Sequence, residues 1–331
     1  MEKLVKKKTF LFLAATFSLF FVALAHAQQP KKVPRIGFLI GVSDSSISDR
    51  YDAFLQALRE LGYMEGKNIA IERRSADGKL ERLPDLAAEL VRLKVDIIVT
   101  GGPLSTRRVK EATATIPIVM AQDFDPVGTG FVASLARPGG NITGLSTLSP
   151  EISGKQMELL KEIIPAFSRV VVFGTSTNPG NAQSLRETEL AAGAFGVPLQ
   201  YLDILDPKDI GSAFRAASKG RANAALMLPS PVLLLQRTQV VELTVKNRLP
   251  AIYSVAEYVE AGGLMTYGTN FADLWRRAAT YVDKILKGRK PADLPVEQPT
   301  KFEFIINLKA AKQIGVTIPP NVLARADKVI K

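Results

Sequence analysis

The chain has 331 residues, 43 Lys and Arg against 32 Asp and Glu, no cysteine and a single histidine, His26. Disulfides, thiolate nucleophiles and zinc or copper sites built on Cys or His are thereby excluded, and beyond residue 26 no imidazole is available as a neutral-pH acid or base. A net charge of +11 is compatible with anionic partners, but the basic pairs Arg73-Arg74, Arg107-Arg108 and Arg276-Arg277 are scattered among acids, without the aromatic-rich basic stretch that would point to nucleic acid.

The N-terminus carries Lys3, Lys6, Lys7 and Lys8, then sixteen uncharged, mostly apolar residues from Phe10 to Ala25, then Ala25-His26-Ala27 before Gln28-Gln29-Pro30. A basic head, an apolar middle and a small-x-small site make a secretory signal peptide over residues 1–27. The apolar run is short of the ~20 residues of a membrane-spanning helix. Its removal takes four lysines and one glutamate, lowering the charge from +11 to +8. The expected location is the periplasm.

Arg35 to Gly41 reads as a buried strand, and Tyr51, Phe54, Leu55, Leu58 and Leu61 recur at helical spacing up to Gly62. Asn68 to Glu72 is a strand, Leu83, Leu86, Leu90 and Leu93 a helical face, Val95 to Thr100 a buried strand. Ser105 to Thr113 then reads as a helix and Ile116 to Met120 as a strand. The order starts again with a helix carrying Met157, Leu160 and Ile164, a strand at Arg169–Gly174, and a helix to Phe195. A strand at Leu199–Ile204, a helix from Pro207 to Ser218, a strand at Ala224–Leu228, another helix and a strand at Leu249–Tyr253 follow. The halves rhyme: VDIIVTGG, a helix and TIPIVMAQD in the first; ANAALMLPSP, a helix and RLPAIYSVA in the second. Strands alternating with helices imply parallel sheets covered on both faces, and two such units suggest a clamshell with a seam near Gly139–Ser146. Leu264–Gly268 is a further strand, and Phe271, Leu274, Ala278, Tyr281, Val282 and Ile285 make a strong helical face in which Trp275 is read as packing. A proline-rich connector at 287–301, a strand at Phe302–Leu308, a short helix at Ala310–Ile314 and a tail complete the chain.

The stretch DPVGTGFVASLARPGGNITGLS, Asp125 to Ser146, closely resembles the ABC-transporter substrate-binding proteins of the tryptophan/tyrosine-binding type. RIGFLIG at the start, FLQALRELGYMEGKNIAIERR (Phe54 to Arg74) and the run from Arg276 to Pro320 resemble the same family, so the likeness covers everything after the signal peptide in order. The resemblance implies a type I periplasmic-binding-protein fold: two doubly wound α/β lobes joined by a three-crossover hinge. On that basis lobe 1 is expected over 28–143 with 267–290 returning to it, and lobe 2 over 144–266 with 300–331 returning to it. The crossings are expected near Thr143-Gly144, near Thr266-Tyr267 and in the connector. The implied partners are a small-molecule ligand and the permease subunits of an ABC importer, with the binding protein acting as a monomer.

In an open parallel sheet, ligands bind beyond the carboxyl ends of the strands. The polar turns there supply the candidate ligand-binding residues: Ser43, Asp44, Gly101, Gly102 and Asp125 in the first half, and Thr177, Asn178, Ser230 and Tyr253 in the second. Glycines let backbone approach a ligand, helix N-termini suit a carboxylate, Asp125 is placed to accept from an ammonium, and Tyr253 or Phe124 to flank an apolar side chain. Each has a structural alternative: Ser43, Ser105 and Asn178 as helix caps worth ~1 kcal/mol, Asp125-Pro126 as a turn opener, Tyr253 as core. No catalytic residue, metal ligand or cofactor is assigned. Asp123-Phe124-Asp125 matches D-x-D superficially, but G-x-x-x-x-G-K-[ST] and G-x-S-x-G are both missing. The leading reading is a periplasmic receptor for an amino acid or related carboxylate; the alternative is a periplasmic domain that senses a ligand for a membrane receptor.

Overall fold

A computed structural model describes residues 33–164 and 166–331; the expected signal peptide lies outside the described residues. Two sheets organise the chain. The first has the order β2-β1-β3-β4-β5, with β1 Arg35–Ile40, β2 Ala70–Ser75, β3 Ile97–Thr100, β4 Ile118–Asp123 and β5 Ile142–Ser146, all parallel. The second runs β12-β11-β10-β9-β8-β6-β7, with β6 Val170–Gly174, β7 Leu199–Asp203, β8 Ala224–Met227, β9 Ala251–Tyr253, β10 Met265–Thr269, β11 Phe302–Asn307 and β12 Lys328–Ile330. It is parallel except where β11 runs against β10. Four apolar cores, one on each face of each sheet, explain why central strands such as β3 (IIVT) and β6 (VVVFG) are continuous apolar runs rather than alternating ones.

Helices α1 (Ser48–Glu60) and α10 (Phe271–Leu286) cover one face of the first sheet, and α2 (Leu83–Arg92) with α3 (Pro103–Ala112) covers the other. The second sheet is flanked by α4 (Ser149–Ile163), α5 (Asn181–Ala194) and α11 (Leu308–Ile314) on one side, and by α6 (Asp209–Lys219), α8 (Arg237–Lys246) and α9 (Ala256–Glu260) on the other. The short α7 (Pro231–Leu235) and α12 (Pro320–Leu323) complete the α-helices of the described residues. Trp275 on α10 is fully buried against Phe38, ring centroids 5.4 Å apart.

The chain passes between the sheets three times. Residues 144–146 pair with β4 and belong to the first sheet, and residues 267–269 lie in β10 of the second. The first two crossings therefore fall a few residues beyond the expected ones. Glycine at 144 is required by this pairing: at φ +135, a Cβ there would lie 2.2 Å from the Met120 carbonyl oxygen. The connector is not a free linker. Ser146 N–H donates to the Glu297 carbonyl at 2.9 Å and Glu297 N–H to that of Gly144 at 3.0 Å, extending the first sheet beyond β5. The Thr143 hydroxyl donates to the Leu294 carbonyl at 2.6 Å. Thr269 Oγ1 donates to the Thr147 carbonyl at 2.6 Å, tying two crossings together.

Three elements depart from the sequence reading. β5 was the expected seam and is a strand. β2 begins at Ala70 and ends at Ser75, two to three residues late, because the β1 ladder sets its register. The C-terminal tail holds β12, whose polar Lys328 and partly exposed neighbours suit an edge strand and hide it from a hydrophobicity count.

Candidate functional site

The C-terminal ends of β1, β3 and β4 face those of β6, β8 and β9 across a cleft with ≈ 660 Å³ of empty space, its mouth included. The first lobe contributes mostly backbone. β1 runs into Gly41 and β3 into Gly101-Gly102, all at the cleft. At Gly101 a Cβ would sit 2.7 Å from Ile40 Cγ2 and 3.2 Å from the Trp275 ring, so only glycine fits. Gly102, at φ +142, precedes α3 without capping it by a side chain, and Pro103 fills the first helical position. The N–H groups of Leu104 and Ser105 are thus left at the positive end of the helix dipole, and both residues line the cleft.

Gln122, near the end of β4, is the first lobe's most constrained polar side chain. Its Oε1 accepts from Trp275 Nε1 at 2.9 Å and from Arg50 Nη1 at 3.3 Å. This fixes the amide orientation and leaves Nε2 as the donor beside Gly102. Arg50 on α1 lies over the Phe271 ring at 4.3 Å and also pairs with Glu257 of α9. It is the one charged side chain among the described residues lining the cleft.

The second lobe contributes an amide network. Asn178, buried in the turn after β6, donates from Nδ2 to the Pro229 carbonyl at 2.8 Å. Asn181 Nδ2 donates to the same carbonyl at 2.9 Å and to that of Thr175 at 3.1 Å. With Nδ2 so committed, Asn178 Oδ1 is the acceptor, and it is buried without a partner while its residue lines the cleft. Ser230 caps α7 by accepting from Leu233 N–H at 3.2 Å. Thr175 donates to the Ile204 carbonyl, so the Ser230 proton goes to Thr175, 2.6 Å away. The remaining walls are apolar: Val42, Ile47, Leu80, Leu234, Val255 and Phe271.

Of the sequence candidates, Gly101, Gly102, Asn178 and Ser230 line this cleft. The other five do not. Ser43 Oγ is bonded to Ser46 Oγ at 2.8 Å, and Asp44 pairs outward with Arg73 at 2.8 Å. Asp125 closes its own turn, accepting from Gly128 N–H at 2.8 Å, and a Cβ at Gly128 would lie 2.0 Å from that carboxylate. Thr177 is exposed. Tyr253 is core, stacked on Tyr258 at 4.9 Å with its hydroxyl on Thr244, and burial pushes its phenol far up. Strand alternation explains this last case: Ser254, the next residue, faces the cleft instead. Gln122 and Ser254 belong to the polar strand-end turns expected at the cleft without being among the nine candidates, and Arg50 and Phe271 lie outside those turns. Arg50 sits within the apolar face of α1 and Gln122 at the end of an apolar strand, and such out-of-place polar residues are the available signal.

Asp123, next to Gln122, is fully buried away from the cleft. Its Oδ1 accepts from Asp125 N–H at 3.3 Å and its Oδ2 has no partner. Burial raises its carboxyl to about 8; the Asp125 and Phe124 N–H groups and Arg107 oppose the rise, while the Asp125 carboxylate adds to it. Among the described residues no group of three His, Cys, Asp or Glu is placed to hold a metal ion.

The family model for ABC transporter substrate binding proteins matches residues 35–330. A tyrosine-binding protein of Clostridioides difficile is 27% identical over 288 residues, covering 86% of this chain and 82% of its own. A solved conserved domain protein from Vibrio cholerae superposes with TM-score 0.86 at 28% identity, covering 90% of this chain and all of the other. An ABC domain from Streptococcus pneumonia in complex with L-Trp gives TM-score 0.85 at 27% identity, covering 90% and 99%. The two-lobed architecture is that of the type I periplasmic binding proteins.

Proposed function

The chain belongs to the ABC transporter substrate-binding protein family, and from that premise we propose that it is the extracytoplasmic receptor of an ABC importer. It captures an α-amino acid with a large apolar side chain as a monomer and delivers it unchanged to the membrane permease. The names of its relatives favour tyrosine or tryptophan. The basic head and apolar run before residue 28 support export, and no helix among the described residues is long and apolar enough to cross a membrane.

The observation that carries the reading is the orphaned Asn178 Oδ1, a buried acceptor at the cleft. A buried acceptor without a donor costs about 1–3 kcal/mol, and a ligand ammonium supplies the donor. The ligand carboxylate then takes the Leu104 and Ser105 N–H groups at the start of α3, with Gln122 Nε2 beside them. Its side chain lies against Ile47, Leu234 and Phe271. Every polar group on this list is neutral, which suits a zwitterion without net charge. Ligand stabilises the closed clamshell, and the permease reads closure as a population shift.

Thermal denaturation with L-tyrosine and L-tryptophan tests this. A ligand at 100 times its Kd adds about 2.7 kcal/mol of stability, and Asn178→Ala is expected to weaken that ligand at least tenfold without changing the fold. Binding of neither amino acid, unchanged affinity in Asn178→Ala, or recovery of a chemically altered solute would each sink the reading.

A further inference from the structure

We infer that Glu257 and Arg50 form an interlobe latch, with Glu257 a positioning residue that sets how readily the lobes close. Glu257 lies outside the lining of the central cleft. The inference rests on the lobe motion of the function proposed above, but not on the identity of its ligand.

Arg50 belongs to α1 of the first lobe and Glu257 to α9 of the second. One guanidinium nitrogen of Arg50 pairs with Glu257 Oε1, another lies 3.3 Å from Gln122 Oε1, and its plane covers the Phe271 ring. Phe271 opens α10 directly after the second crossing. A single side chain thus touches the polar wall of the cleft, the hinge and the opposite lobe. Among the described ion pairs, the others join residues of one lobe or, like Lys301–Asp273, sit at a crossing. The lobes also touch at Gly78, where a Cβ would lie 2.5 Å from Leu235 Cδ1.

The Arg50 side chain is only 6% exposed and that of Glu257 21%. With the lobes in contact as in this structure, the guanidinium has left water, and Glu257 is its sole anionic partner among the described residues. Removing one member of such a pair strands the other charge. The open form escapes that cost because water reaches the guanidinium again. Loss of Glu257 therefore acts against closure, beyond any effect on folding. Glu257 also neutralises Arg50, so the closed cleft does not demand an extra anion from its ligand.

The chain has no cysteine, so cysteines introduced at exposed Lys67 and Leu190 accept a spin-label pair without background. Lys67 lies in the turn before edge strand β2 and Leu190 on α5, one in each lobe. Pulsed dipolar spectroscopy on the ligand-free protein is expected to show the short-distance fraction fall at least fivefold in Glu257→Gln. The charge-swapped Arg50→Glu, Glu257→Arg double variant is expected to recover part of it. A Glu257→Gln distribution identical to wild type, or a charge swap no better than the single variant, overturns the latch even if both variants melt earlier. The two proposals separate cleanly. If Glu257→Gln moves the distances while neither L-tryptophan nor L-tyrosine moves those of wild type, the latch stands and the ligand assignment falls.

Discussion

The two lobes reach the cleft with the same topology and opposite chemistry. After β3 the first lobe has Gly-Gly-Pro, an uncapped ten-residue helix and free N–H groups; after β8 the second has Pro-Ser-Pro and a five-residue helix whose cap is occupied by Ser230. The first lobe offers donors from its backbone and from Gln122; the second offers an acceptor, Asn178 Oδ1, held by a side-chain network. The same frame thus places donors on one side of the cleft and an acceptor on the other, and what differs is whether each helix spends its own N-terminus.

The harshest way to break this contrast is Trp275→Ala. It removes the largest fully buried side chain of the first lobe and the donor that orients Gln122. Truncating a buried Trp costs about 3–5 kcal/mol, and urea titration should show that loss together with weaker ligand binding. A second test compares the two orphaned oxygens. In the proposed function Asn178 Oδ1 is met by a ligand, whereas Asp123 Oδ2 is met by a proton, its pKa being raised to about 8 mainly by burial. Between the unfolded value near 3.9 and about 8, the folded state binds more protons than the unfolded one. The stability contributed by this group is therefore full below pH ~4 and lost progressively as pH rises towards 8. Denaturation midpoints measured from pH 5 to 8 should decline in wild type and flatten in Asp123→Asn. The gentlest test exchanges roles between the lobes. Ser230→Ala should lose about 1 kcal/mol of stability as a cap with affinity little changed. Ser105→Ala, which keeps the backbone N–H assigned to the ligand carboxylate, should leave both stability and affinity nearly unaltered.

The alternating frame and the two-lobe rhyme were legible because buried parallel strands are apolar runs ended by small polar turns. The cleft side of those turns was legible too, and it located Gly101, Gly102, Asn178 and Ser230. Which residue of a turn faces inward was not. A shift of one position in the strand separates Ser254 from Tyr253 and Gln122 from Asp123, and nothing local to the sequence fixes that parity. Arg50 was invisible for another reason: its partners Gln122, Glu257 and Phe271 are 72, 207 and 221 positions away, and only the hinge gathers them. The DPVGTG motif carried the family resemblance yet makes a turn, since Asp125 and Gly128 serve each other.

The three crossings have a consequence for biosynthesis. Neither half is a continuous stretch of polypeptide: the first sheet waits for α10 and for residues 294–297, the second for β11 and β12. While the ribosome is still producing the middle of the chain, Phe38, Phe54 and Val99 lack the Trp275 helix that will cover them. The nascent N-terminal half therefore stays incomplete until nearly nine-tenths of the chain has been made.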